Sequence, residues 1–129
     1  MTKKLSQEFS KYSVAPNIFV NGEFTLTENI ADLGGVNIAF DALKMYLNDH
    51  PERNVIIDGY KQNQLFFMSF ARIWHQKTTD EYLKNLVKTD SYSPSYFRVN
   101  GTLINVDGFH NTFNTKPAKI GRASCRERV

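Results

Sequence analysis

At 129 residues the chain has room for one small domain with a modest core. Its 41% hydrophobic content and mean hydropathy of −0.43 describe an ordinary globular sequence, and no apolar run reaches the length of a membrane-spanning helix. A basic start (MTKKLSQEFSKYS) with no apolar stretch behind it excludes a signal peptide, and Met1 reads equally as an internal methionine.

The charge balance depends on the tail. Residues 120–129 (IGRASCRERV) read as the translation of a sequencing adaptor, so we set them apart from fold and function. They carry Arg122, Arg126, Arg128 and Glu127, and leaving them out lowers the net charge from +3 to +1. The pI near 9.0 is then no argument for nucleic acid or an anionic membrane. The single cysteine, Cys125, lies in the same stretch, and without it the chain has neither disulfides nor thiolate chemistry.

In chain order, residues 3–12 place Leu5, Phe9 and Tyr12 at helical spacing and read as the end of a helix. Residues 13–20, with Pro16, read as extended, and Asn21-Gly22 as a turn. Phe24 to Leu26 is short and β-prone, and Thr25 or Thr27 is placed to cap a helix over 28–47. That helix stripes Leu33, Val36, Phe40, Leu43 and Leu47 while placing Ile30, Ile38 and Ala42 on other faces, the pattern of a helix buried in a larger body.

Residues 48–62 read as a loop carrying His50. A second helix over 63–76 is rich in phenylalanine and ends at Ile73, Trp74 and His75. Thr78 and Glu81 have capping-box spacing ahead of a third helix to Lys88. Residues 89–97 read as a loop, Arg98 to Asn100 as extended with Gly101 as a break, and 107–113 as a last short helix. No internal repeat or low-complexity segment is present.

The stretch TLTENIADLGG (25–35) is the chemically suggestive one. Glu28 and Asp32 share one helix face at a spacing where like charges cost a few tenths of a kcal/mol. Gly34 and Gly35 follow, each costing about 1 kcal/mol inside a helix. A cation near the carboxylates and close packing at the glycines would offset this. An acidic first turn facing the helix dipole is the simpler account of the acids from these residues alone.

ENIADLGG (28–35) resembles the third-ligand motif of the neprilysin family of zinc metallopeptidases. VNGEFTL (20–26), QLFFMSFARIW (64–74) and KTDSYSPSYFRVNGTL (88–103) resemble further blocks of that family in the same order, and the resemblance covers roughly residues 8–117. It implies a mainly α fold, a piece of a thermolysin-like (gluzincin) zinc peptidase catalytic domain over 1–119, truncated at both ends. It also implies a Zn2+ cofactor and oligopeptide substrates. By the resemblance Glu28 is a zinc ligand, and Asp32 supports the site or takes part in proton transfer. Arg98 then holds substrate and stabilises the oxyanion, and Ile73 and Trp74 line the apolar pocket for the substrate side chain.

Core packing accounts for Ile73 and Trp74 as well, and a surface ion pair for Arg98. Where the family has a histidine six positions before that arginine, this chain has Tyr92, whose hydroxyl is also a donor. With Tyr92 there, the supporting role of Asp90 is in doubt.

A catalytic zinc needs two more ligands and a general base from a His-Glu-x-x-His motif. This sequence has no such motif, and His50, His75 and His110 are far apart. We therefore expect a C-terminal piece of a zinc metalloendopeptidase, inactive by itself. With Cys125 set apart, the cysteine-free remainder looks more like a soluble bacterial member (a peptidase O type) than the disulfide-bonded animal ectoenzymes, which points to the bacterial cytoplasm, with an extracellular or membrane-anchored parent as the alternative. The competing reading is a non-catalytic helical binding module or degenerate family member.

Overall fold

The computed structural model describes residues 2–117. The first helix, α1 (Thr2–Phe9), buries Leu5 and Phe9 one turn apart. A hairpin follows, with β1 (Ser13–Ala15) antiparallel to β2 (Ile18–Phe19). The segment expected to run extended is thus folded in two. Pro16 presets its own φ, and Asn17 takes the left-handed conformation (φ 60°) that asparagine tolerates.

The Asn21-Gly22 turn leads directly into α2 (Leu26–Asp49). Phe24 is therefore in a turn and Leu26 in a helix, against the expected short strand. The cap is also different from expectation. The Phe24 N–H donates to Asn21 Oδ1 at 3.0 Å, which closes the turn ahead of the helix and caps none of its N–H groups. Thr25 occupies the cap position without a cap bond of its own. Its hydroxyl donates to the Asn21 carbonyl and accepts from Asn29 Nδ2. A β-carbon on Gly22 would lie 2.0 Å from the Ser6 carbonyl oxygen, so only glycine lets this turn sit against α1.

A 3-10 turn (Pro51–Arg53) and a tight turn at Asp58-Gly59 lead to α3 (Gln62–Ile73). Then come α4 (Asp80–Thr89), α5 (Ser95–Leu103) and α6 (Asp107–Phe113). Thr79, not Thr78, caps α4, its hydroxyl accepting from the Tyr82 N–H. The segment Arg98 to Gly101 is helical rather than extended. The Phe97 and Arg98 N–H groups both bond the Pro94 carbonyl, which starts the turn. Gly101 is buried under Phe9 and Tyr12, where a β-carbon would come within 2.8 Å of both rings. Tertiary packing, not local propensity, is what places glycine there.

Two apolar clusters share α2 as a spine. One is centred on Phe67, with Val36, Phe40, Leu103 and Val106 buried around it and Phe109 and Phe113 against it. The rings of Phe40 and Phe67 are 4.7 Å apart, and Phe109 meets Phe67 edge-on at 5.5 Å. The other joins Leu5, Phe9, Val20 and Val87. Leu33 touches both. Ile38 and Met45 on the far side of α2 are exposed. So α2 is apolar on faces that the described residues do not cover.

Candidate functional site

Three segments converge on Arg98. The first turns of α2 supply Asp32, with Glu28 one turn before it on the same helix, the C-terminal end of α3 supplies Trp74, and the loop ahead of α5 supplies Tyr92. Arg98 and Asp32 form a two-pronged pair, Nε donating to Oδ2 at 2.7 Å and Nη2 to Oδ1 at 2.6 Å. Their side chains are only 14% and 13% exposed, so the pair is largely desolvated. The guanidinium carbon lies 3.8 Å from the centre of the Trp74 ring system and 4.7 Å from that of Tyr92. Of the five guanidinium N–H groups, two go to Asp32, which leaves both on Nη1 and the second on Nη2.

Neutralising Asp32 in this way removes most of the like-charge cost of holding it four residues from Glu28. Glu28 is half-buried in the first turn of α2, and its carboxylate has no hydrogen-bond or ion-pair partner among the described residues. The glycines after Asp32 are not packed: a β-carbon on Gly34 or Gly35 meets nothing within 4 Å among the described residues. The close packing expected there is not made by the described residues.

Ile73 and Trp74 are adjacent but do not share a pocket. Ile73, 74% exposed, lines a groove of about 540 Å³ between α2 and α3, with Asp32 at one end and Val36, Leu65 and Phe70 along it. Trp74 lines a second hollow of about 600 Å³ with Pro94, Phe97 and Val99. Near a helix end, successive side chains diverge by about 100°, which sends the two into different spaces.

Sequence reasoning missed the polar spine beneath the site. Ser93 Oγ donates to Asn29 Oδ1 at 2.8 Å, and Asn29 Nδ2 donates to Thr25 Oγ1 at 3.0 Å. Asn29 and Ser93 are 2% and 3% exposed. They fasten the loop carrying Tyr92 to the turn carrying Glu28. The available signal was an asparagine on the inner side of an apolar helix, which has to find a partner when buried. Asp90 Oδ1 accepts the Tyr92 N–H at 2.9 Å, a local turn that shapes the same loop.

None of the histidines adds to the site. His50 is exposed beside Glu52, and His75 is exposed at the end of α3. Buried His110 uses Nδ1 toward Thr115 Oγ1 and Nε2 toward the Ile104 carbonyl. Among the described residues no group of three or more His, Cys, Asp or Glu is placed to hold a metal ion. The residues present therefore do not fit a complete zinc site. The reading of 120–129 as adaptor-derived, with Cys125, falls outside the described residues.

The family model described as peptidase family M13 matches residues 1–128. The chain belongs to peptidase family M13. Neprilysin-3 of Drosophila melanogaster is 38% identical over 117 residues, covering 89% of this chain and 15% of that protein. Endothelin-converting enzyme 1 of Mus musculus is 39% identical over 117 residues, covering 90% of this chain and 15% of that protein.

Among solved structures, the Mycobacterium tuberculosis zinc metalloprotease Zmp1 in complex with an inhibitor superposes with a TM-score of 0.81 at 34% identity, covering 89% of this chain and 18% of that one. The open state of Zmp1 gives the same TM-score at 33% identity, covering 94% and 20%. This M13 chain is thus a mainly α-helical domain resembling part of the thermolysin-like catalytic fold of the family, and it spans about 15% of the length of the relatives it matches. No helix among the described residues is long and apolar enough to cross a membrane.

Proposed function

We propose that the chain is the C-terminal part of the catalytic domain of a zinc metalloendopeptidase that cleaves oligopeptides. Glu28 is its contribution to the metal, as the third protein ligand to Zn2+. The bound metal would supply an activated water and a polarised scissile carbonyl. The other two ligands and the general base belong to a segment outside this chain, so the chain alone is inactive. Arg98 offers its Nη1 edge to a substrate carbonyl or the oxyanion that forms from it. Asp32 holds Arg98 in register, and its remaining lone pairs are available to a ligating histidine.

The observation that carries this reading is the unpartnered Glu28 carboxylate one helical turn from a desolvated Asp32–Arg98 fork. A polar cluster of that kind between two apolar cores costs stability unless it serves something else. The test is a full-length M13 enzyme carrying residues 2–117 in place of its own segment. Glu28→Ala is expected to abolish chelator-sensitive oligopeptide hydrolysis, and Asp32→Ala to lower activity about 10- to 100-fold. Full activity in Glu28→Ala eliminates the ligand assignment.

The second reading is a non-catalytic helical module. It is favoured by the lack of a multidentate metal site among the described residues. An in-frame His-Glu-x-x-His coding sequence upstream of Met1 removes it.

A further inference from the structure

We propose that Tyr92 and Trp74 are positioning residues that seat Arg98 through their ring faces, so that the Tyr92 hydroxyl is not the group that matters. The proposal deepens the functional reading above and rests on Arg98 as the substrate-facing group. Both ring centres lie within cation–π range of the guanidinium carbon, at 3.8 Å and 4.7 Å. Trp74 Nε1 is buried with no hydrogen-bond partner among the described residues, so the indole contributes its face at this site and not its polar edge. Asp32 fixes the guanidinium along one edge by two hydrogen bonds. The rings hold its plane. An edge contact and face contacts together leave one orientation, with Nη1 on the side turned away from Asp32.

Tyr92 is itself held in place. Its backbone N–H is bonded to Asp90, and the next residue, Ser93, is tied to buried Asn29. The ring is thus presented to Arg98 by a loop fastened on both sides of it. A flat, electron-rich face is the property this position requires, and tyrosine supplies a larger one than an imidazole.

The chain contains a single tryptophan, so fluorescence excited on the red edge, where its tyrosines do not absorb, reports on the seat alone. The first arm uses the full 129-residue chain, with far-UV circular dichroism to confirm helical content. Tyr92→Leu, which keeps bulk and removes the aromatic face, is expected to change Trp74 emission and move the Arg98 side-chain NMR resonances. Tyr92→Phe is expected to restore both to wild-type values. The second arm uses the full-length M13 enzyme carrying residues 2–117. Tyr92→Leu is expected to lower kcat/KM about tenfold, mostly in kcat and with zinc content unchanged, and Tyr92→Phe to rescue it.

Tyr92→Phe behaving like Tyr92→Leu in turnover overturns the proposal in favour of hydroxyl donation. So does a Tyr92→Leu chain with unaltered Trp74 emission and Arg98 resonances. Failure of the zinc reading is separate, because it appears as retained activity in Glu28→Ala and leaves the fluorescence arm untouched.

Discussion

The Asp32–Arg98 pair dominates the chemistry of individual residues here. With both side chains nearly nine-tenths buried, removing one partner strands a desolvated charge. Asp32→Ala or Arg98→Ala is expected to cost about 3–5 kcal/mol in urea unfolding. The double variant should cost clearly less than the two single losses added together, because it leaves no orphan charge. Strict additivity would show that the fork does not persist in solution. Ser93→Ala poses a neutral version of the same problem. It leaves Asn29 Oδ1 buried without its donor, which should cost about 1–3 kcal/mol by the same measurement. A change within experimental error would mean that water reaches Asn29. Glu28, Asp32, Tyr92 and Arg98 stood out in the sequence because the family resemblance implies a role for each position. Asn29 and Ser93 lie in the same blocks but did not, since their 64-residue separation is closed only by folding.

Among the elements, α2 and α5 respond in opposite ways to added methyl groups. Gly101→Ala gains about 1 kcal/mol of helix propensity but drives a β-carbon into the Phe9 and Tyr12 rings, so the net effect should be destabilising by about 1–2 kcal/mol. Gly34→Ala and Gly35→Ala meet open space and should stabilise the chain by up to about 1 kcal/mol each. Thermal unfolding of the three variants checks both signs. The helices of α2, α3 and α6 were legible from their apolar spacing, and the bounds of α6 match. The strand-like reading of Arg98 to Gly101 failed because a glycine that reads as a local break is instead a contact point, packed beneath α1. Thr25 holds the cap position of α2 as expected, but its hydroxyl is taken by the Asn21 carbonyl and by Asn29 and makes no cap bond.

For the molecule as a whole, α2 and the α2–α3 groove carry apolar surface that the described residues leave uncovered. One carboxylate is too little for a catalytic zinc. The Tm of the 129-residue chain is therefore expected to be the same in excess zinc and in chelator. A rise of several degrees with zinc would reveal a complete site, since only a ligand bound to the folded state stabilises it. The exposed Ile38 and Met45 on α2, and the family members' roughly sixfold greater length, fit a helix with further packing partners in those relatives.

The sequence by itself determined the helical class, the family and the residue types able to bind metal or substrate. Those properties reside in periodicity and in ordered local blocks. Only the tertiary structure decided which groups meet. It paired Asp32 with Arg98, set Trp74 and Tyr92 against the guanidinium and sent Ile73 into a different groove. The physical reason is that partner choice depends on directions at helix ends and on loops closing over tens of residues, and neither leaves a periodic trace in the chain.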